Sequence, residues 1–78
     1  MPVAFALINA ELGKENDVLK ELRSMNNVKE AHIVFGAYDI ITKIETTGTD
    51  ALKEIIASKI RRIANVRSTL TMTVAEGI

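Results

Sequence analysis

Residues 28–46, VKEAHIVFGAYDIITKIET, decide the fold. Ala31, Ile33 and Phe35 fall on one side of a period-two repeat, with Glu30 and His32 on the other. Gly36-Ala37 interrupts the pattern. It then resumes over 38–46, setting Tyr38, Ile40, Thr42 and Ile44 against Asp39, Ile41, Lys43 and Glu45. Alternation of this kind belongs to half-buried strands, and two such runs about a two-residue break containing glycine predict a β-hairpin.

Upstream, residues 3–11 are rich in Val, Phe, Leu and Ile and predict a strand, which Gly13 ends. From Lys14 to Met25 the apolar residues Val18, Leu19, Leu22 and Met25 recur at helical spacing, with Lys20, Glu21 and Arg23 opposite. Asn26-Asn27 stops this helix. Downstream, Thr46-Thr47-Gly48-Thr49-Asp50 supplies turn and N-cap chemistry. A second helix follows with Leu52, Ile55, Ile56, Ile60 and Ile63 on one stripe, Asn65 ends it, and 66–75 is a last strand.

The order is therefore β-α-β-β-α-β. An internal echo supports it: Asp17-Val-Leu-Lys-Glu-Leu22 matches Asp50-Ala-Leu-Lys-Glu-Ile55, and Asn27-Val28-Lys29 matches Asn65-Val66-Arg67. Two related βαβ halves predict an α+β, ferredoxin-like sandwich, an antiparallel four-stranded sheet with both helices on one face. The first strand is apolar on both sides, Val3, Phe5 and Leu7 on one and Ala4, Ala6 and Ile8 on the other. A strand of that kind is expected where both sheet faces are buried. In the last strand Arg67, Thr69, Thr71 and Thr73 separate from Ser68, Leu70, Met72 and Val74. The Thr row is expected on the face away from the helices, beside Asp39, Ile41 and Lys43. There it either meets water, as strand threonines do, or rims a polar pocket at an interface.

Seventy-eight residues make one domain, 47% hydrophobic. A chain this short buries only about 60–65% of its extended surface, so its apolar excess suggests cover by another subunit. The absence of cysteine excludes disulfides and thiolate metal sites or nucleophiles, and a single histidine, His32, excludes a histidine-rich metal site. With no nucleophile or second base beside it, His32 is expected to be an interface or surface residue. No catalytic residue, metal or cofactor is predicted. Ten basic residues cancel ten acidic ones, unlike a free-standing nucleic-acid binder, so no direct nucleic-acid contact is expected. Lys59, Arg61, Arg62 and Arg67 form the one basic cluster, which a helix C-terminus explains. The apolar start lacks a basic leader and reaches Asn9 and Glu11 too soon for a membrane span. The expected location is cytoplasmic.

The turn Gly36-Ala37-Tyr38-Asp39 resembles the Gly-x-Tyr-Asp turn of the Lrp/AsnC ligand-sensing (RAM) domain, and Ser68-Thr69-Leu70-Thr71 resembles that family's Ser-Thr-x-Thr strand. The likeness runs over the whole chain, 1–78, as a single such domain. It implies a dimer of the α/β-barrel type built through the sheets and assembling to octamers or decamers. It also implies a small effector, usually an amino acid, bound near the strand-two to strand-three turn. Under it the ligand residues are Gly36, Ala37, Tyr38, Asp39, Thr69 and Thr71. Gly36 permits close backbone approach, the turn amides face a carboxylate, Asp39 accepts from an ammonium, and the hydroxyls complete the shell. Without the resemblance, the same residues read as ordinary hairpin and turn chemistry.

Those regulators carry a helix-turn-helix module before the sensing domain, whereas here the first strand begins at residue three. If Met1 is the natural start, the chain is a stand-alone sensor that acts on transcription indirectly, including by co-assembly with full-length Lrp/AsnC paralogues. A small dimeric α/β-barrel enzyme, of the cofactor-free monooxygenase or isomerase type, is the alternative; its cavity would need His, Asn or Trp where this chain has Ile, Leu and Val.

Overall fold

The computed structural model describes residues 2–75. Four strands and two helices follow in the predicted order: β1 (Val3–Ala10), α1 (Glu15–Arg23), β2 (Val28–Ile33), β3 (Ile40–Glu45), α2 (Thr49–Glu54) and β4 (Val66–Thr73). The sheet order is β2-β3-β1-β4, every pair antiparallel, which is the ferredoxin-like arrangement. The two halves repeat in atomic detail as well as in sequence. Val28 N–H donates to Met25 C=O at 3.2 Å, as Val66 N–H does to Ile63 C=O at 3.3 Å. Asn27 C=O accepts from Glu45 N–H at 2.9 Å, and Asn65 C=O from Glu11 N–H at 2.8 Å. Of these two asparagines, Asn65 alone enters the left-handed region, at φ 73°, which its short amide side chain tolerates better than most.

One sheet face carries Ala4, Ala6, Ile8 and Ala10 of β1, Ile40, Thr42 and Ile44 of β3, and Ala31 of β2, all buried. Val18 and Leu22 of α1, and Leu52, Ile55, Ile56 and Ile60 of the second helical segment, close over it. Small alanines on the central strands let the helices approach, so the two-sided apolar β1 gives its small residues to the helices and Val3, Phe5 and Leu7 to the open face. The outer edge of β2 is capped from above. Arg23, expected on the polar side of α1, donates from Nε and Nη2 to Ala31 C=O at 3.1 and 2.8 Å.

Four expectations are corrected. The β2–β3 connection spans 34–39 rather than two residues, and Phe35 stands fully exposed within it. Alternation continues through this stretch in sequence, but the strand register ends at Ile33–Ile40, with one further backbone bond from Val34 N–H to Asp39 C=O. The N-cap of α2 is Gly48 with no side-chain cap bond; Thr46 Oγ1 instead donates to Gly48 C=O at 2.7 Å. The second helix leaves α geometry after one and a half turns and continues as a π-helical turn, Ile55–Ile60. Three β-branched isoleucines in six residues crowd a tight α-turn, and the widened turn keeps all three buried.

The fourth correction concerns the Thr row. Ala4 pairs with Thr73, Ala6 with Thr71 and Ile8 with Thr69, and directly opposed residues share a face. The row therefore lies on the helix side. Leu70 and Met72, opposite Leu7 and Phe5, lie on the open face, 46% and 50% exposed. Both faces of this sheet are apolar near β1, so hydrophobicity could not choose between two settings one residue apart.

Candidate functional site

The connection 34–39 is held at both ends by Asp39. Its C=O accepts from Val34 N–H at 2.8 Å and its N–H donates to Ile8 C=O at 3.0 Å. Its Oδ2 accepts from Ala10 N–H at 2.9 Å. Ala10 N–H faces the same side of β1 as Ile8 C=O, two residues earlier, and on the other side the β1–β4 register shifts between Asn9 and Ala10. Gly36 takes φ +151° with open space around it, a conformation that suits glycine. Gly36 and Ala37 are exposed at the loop tip, and Tyr38 and Asp39 are half-buried.

Asp39 and Glu15 stand between two clefts. One, about 460 Å³, is lined by Asn9, Ala10, Leu12, Glu15, Asp39, Arg67 and Ser68. The other, about 370 Å³, is lined by Glu15, Asn16, Ile33, Val34, Phe35 and Asp39. Asn9 Nδ2 donates to Ser68 Oγ at 3.3 Å across the first cleft's floor, and Arg67 Nε sits 3.4 Å from Glu11 Oε2 at its wall. A guanidinium and two carboxylates thus line one cleft. Such a cleft offers an acceptor to an ammonium and a forked donor to a carboxylate.

The six residues singled out in the sequence do not line one space. Asp39 lines both clefts beside the loop. Thr69 and Thr71, on the helix side of β4, line a separate cleft of about 440 Å³ with Lys53, Ile56, Ala57 and Arg61. Arg67, Asn9, Ser68 and Glu15 join Asp39 instead. Arg67 stands out in the sequence only as part of the basic cluster, and the register shift at Asn9/Ala10 has no signature there. His32 lies exposed on the open face with Glu30 Oε1 at 3.3 Å. Among the described residues no group of His, Cys, Asp or Glu could hold a metal ion, and no helix is long and apolar enough to cross a membrane.

Residues 3–78 match the model of the Lrp/AsnC ligand binding domain. An uncharacterized HTH-type transcriptional regulator of Pyrococcus abyssi is 36% identical over 69 residues, 88% of this chain and 44% of that protein. A homocitrate synthase of Saccharolobus islandicus is 42% identical over 57 residues, 73% of this chain but 12% of the enzyme. The crystal structure of FFRP-DM1 superposes with a TM-score of 0.93 at 40% identity, covering 96% of this chain and all of the other. The chain spans less than half the length of the curated regulator it matches.

Proposed function

Since the chain belongs to the Lrp/AsnC ligand-binding-domain family, we propose that it is a non-enzymatic effector-binding module whose ligand is an amino acid held at the Asp39 turn. One observation carries this reading. Asp39 uses Oδ2 to fix the loop to Ala10, while its side chain lines the same cleft as Arg67. The residue that shapes the loop is thereby also a ligand group, so occupancy and loop geometry are linked. The amides around Gly36, Ala37 and Tyr38 remain available at the tip. The hydroxyls of Thr69 and Thr71 enter the site only from a second subunit.

Assembly follows from the open face. Val3, Phe5, Leu7, Leu70 and Met72 form an apolar surface that a second copy covers, giving a cytoplasmic homodimer that builds to an octamer or decamer. Contiguous apolar patches of this kind are characteristic of interaction sites. Control of transcription is indirect, by sensing or by co-assembly with full-length Lrp/AsnC paralogues. The likeness to a short part of a homocitrate synthase supports a second setting for the same module, as a sensor attached to a biosynthetic enzyme. An α/β-barrel enzyme is disfavoured because the space between sheet and helices is filled by Ala4, Ala6, Ile8, Leu22, Leu52 and Ile60.

A thermal-shift screen against the twenty amino acids tests the effector. A ligand at 100 times its dissociation constant stabilises by about 2.7 kcal/mol. A response that vanishes in Asp39→Asn supports the site; silence toward all twenty removes the amino-acid assignment.

A further inference from the structure

We infer that the effector is a basic amino acid, of the lysine or ornithine type, whose side-chain cation is taken by Glu15. This deepens the effector reading above and rests on it. The two clefts beside the Asp39 loop share a wall, because Glu15 and Asp39 line both. The polar cleft adds Arg67 and Ser68, donors for an α-carboxylate. The other adds Ile33, Val34 and Phe35, an apolar surface of the kind along which an alkyl stem lies while its charged end stays polar. A ligand with its head at Arg67 and Asp39 therefore runs its side chain past Glu15 and along those three residues.

Charge sets the class of that side chain. Arg67 is matched by Glu11 at 3.4 Å, and Lys14, next to Glu15 in sequence, is drawn to Asp17 at 4.0 Å. Among the described residues no cation pairs with Glu15 or Asp39, and both are partly buried. Asp39 Oδ2 accepts from Ala10 N–H at 2.9 Å, and Glu15 Oε2 from Gly13 N–H at 3.4 Å. The positive end of the α1 dipole offsets part of the Glu15 charge but brings no side-chain donor to it. An α-ammonium at Asp39 answers one carboxylate and leaves the other. A neutral aliphatic side chain would strip water from Glu15 and return nothing, and a site rejects a ligand that leaves its polar group unpaired. An acidic side chain would add like charge. A second cation at the end of an alkyl stem satisfies Glu15 with a charge-assisted bond.

The test is calorimetric titration of the full chain with lysine, ornithine, norleucine (lysine without its terminal amine), cadaverine (lysine without its carboxylate) and glutamate. Lysine or ornithine should bind about tenfold or more tighter than norleucine and cadaverine, with glutamate the weakest. Glu15→Gln should bring lysine and norleucine to within about threefold of each other. Glu21→Gln, which removes an exposed carboxylate of α1 outside both clefts, should leave the preference intact; its loss there would make the preference a general charge effect and overturn the inference. Norleucine or cadaverine bound as tightly as lysine, or a preference that survives Glu15→Gln, would also overturn it while the amino-acid reading stands. Binding of none of the twenty amino acids would remove both.

Discussion

Thr42 is fully buried in the middle of β3, and its Oγ1 makes no hydrogen bond. Its neighbours across the strands on the helix side are Ala6 of β1 and Ala31 of β2, both buried. The hydroxyl therefore lies among methyl groups, stripped of water and without a partner. A desolvated, unpaired hydroxyl costs about 1–3 kcal/mol in proteins. Thr42→Val replaces it with a methyl of nearly the same shape and keeps the branch at Cβ that suits a strand. The variant should be more stable by roughly 1–3 kcal/mol, about 4–8 °C in melting temperature per kcal/mol for a domain of this size. Thr42→Ser, which keeps the hydroxyl and deletes the methyl, should be less stable than the native chain. The assay is urea unfolding at one fixed protomer concentration, because association shifts apparent stability. The midpoint should rise with the slope unchanged. A Thr42→Val chain no more stable than the native one would show that Oγ1 has a partner and that the helix-side packing drawn around Ala6 is wrong.

Three other outcomes follow from the same contacts. Leu22→Ala removes a fully buried side chain beneath α1 and should cost about 2–5 kcal/mol in the same unfolding experiment. Asp39→Ala leaves Ala10 N–H without its acceptor and should cost about 1.5–3 kcal/mol, with faster amide exchange at Ala10 as the local readout. Leu70→Lys, at a half-exposed position on the open face, should change the stability of the single chain by no more than about 0.5 kcal/mol. In light scattering it should lower the assembled mass, and an unchanged mass would move the contact surface elsewhere.

Periodicity was enough for element order because each strand and helix has a distinct repeat and because the turns Met25–Val28 and Ile63–Val66 echo one another. It failed where two settings are equally apolar. Leu70 and Met72 look like core residues in isolation, and only pairing with Leu7 and Phe5 shows that they face outward. Phe35 failed for the opposite reason: alternation carries through a loop whose path is set by the hydrogen bonds of Asp39, not by burial. The candidate site was half legible. Asp39 announces itself within the Gly36–Asp39 turn, but Arg67 and Ser68 reach the same cleft from a strand twenty-eight and twenty-nine residues later. The sheet order that sets β4 beside β1, and the register shift at Asn9/Ala10, depend on backbone geometry that composition does not encode.

The placement of β1 between β3 and β4 has a bearing on synthesis. Of the four strands, β1 is made before the others and β4 after them, yet Ala4 lies opposite Thr73 and Ile8 opposite Thr69. Until β4 is in place, β1 pairs with β3 on one side only, and the other side of an apolar central strand stays open. Closure of so long a loop is entropically slow, and open strand edges on unfinished chains invite wrong partners. Any delay in docking β4 therefore exposes the strand that holds the sheet together to a neighbouring chain.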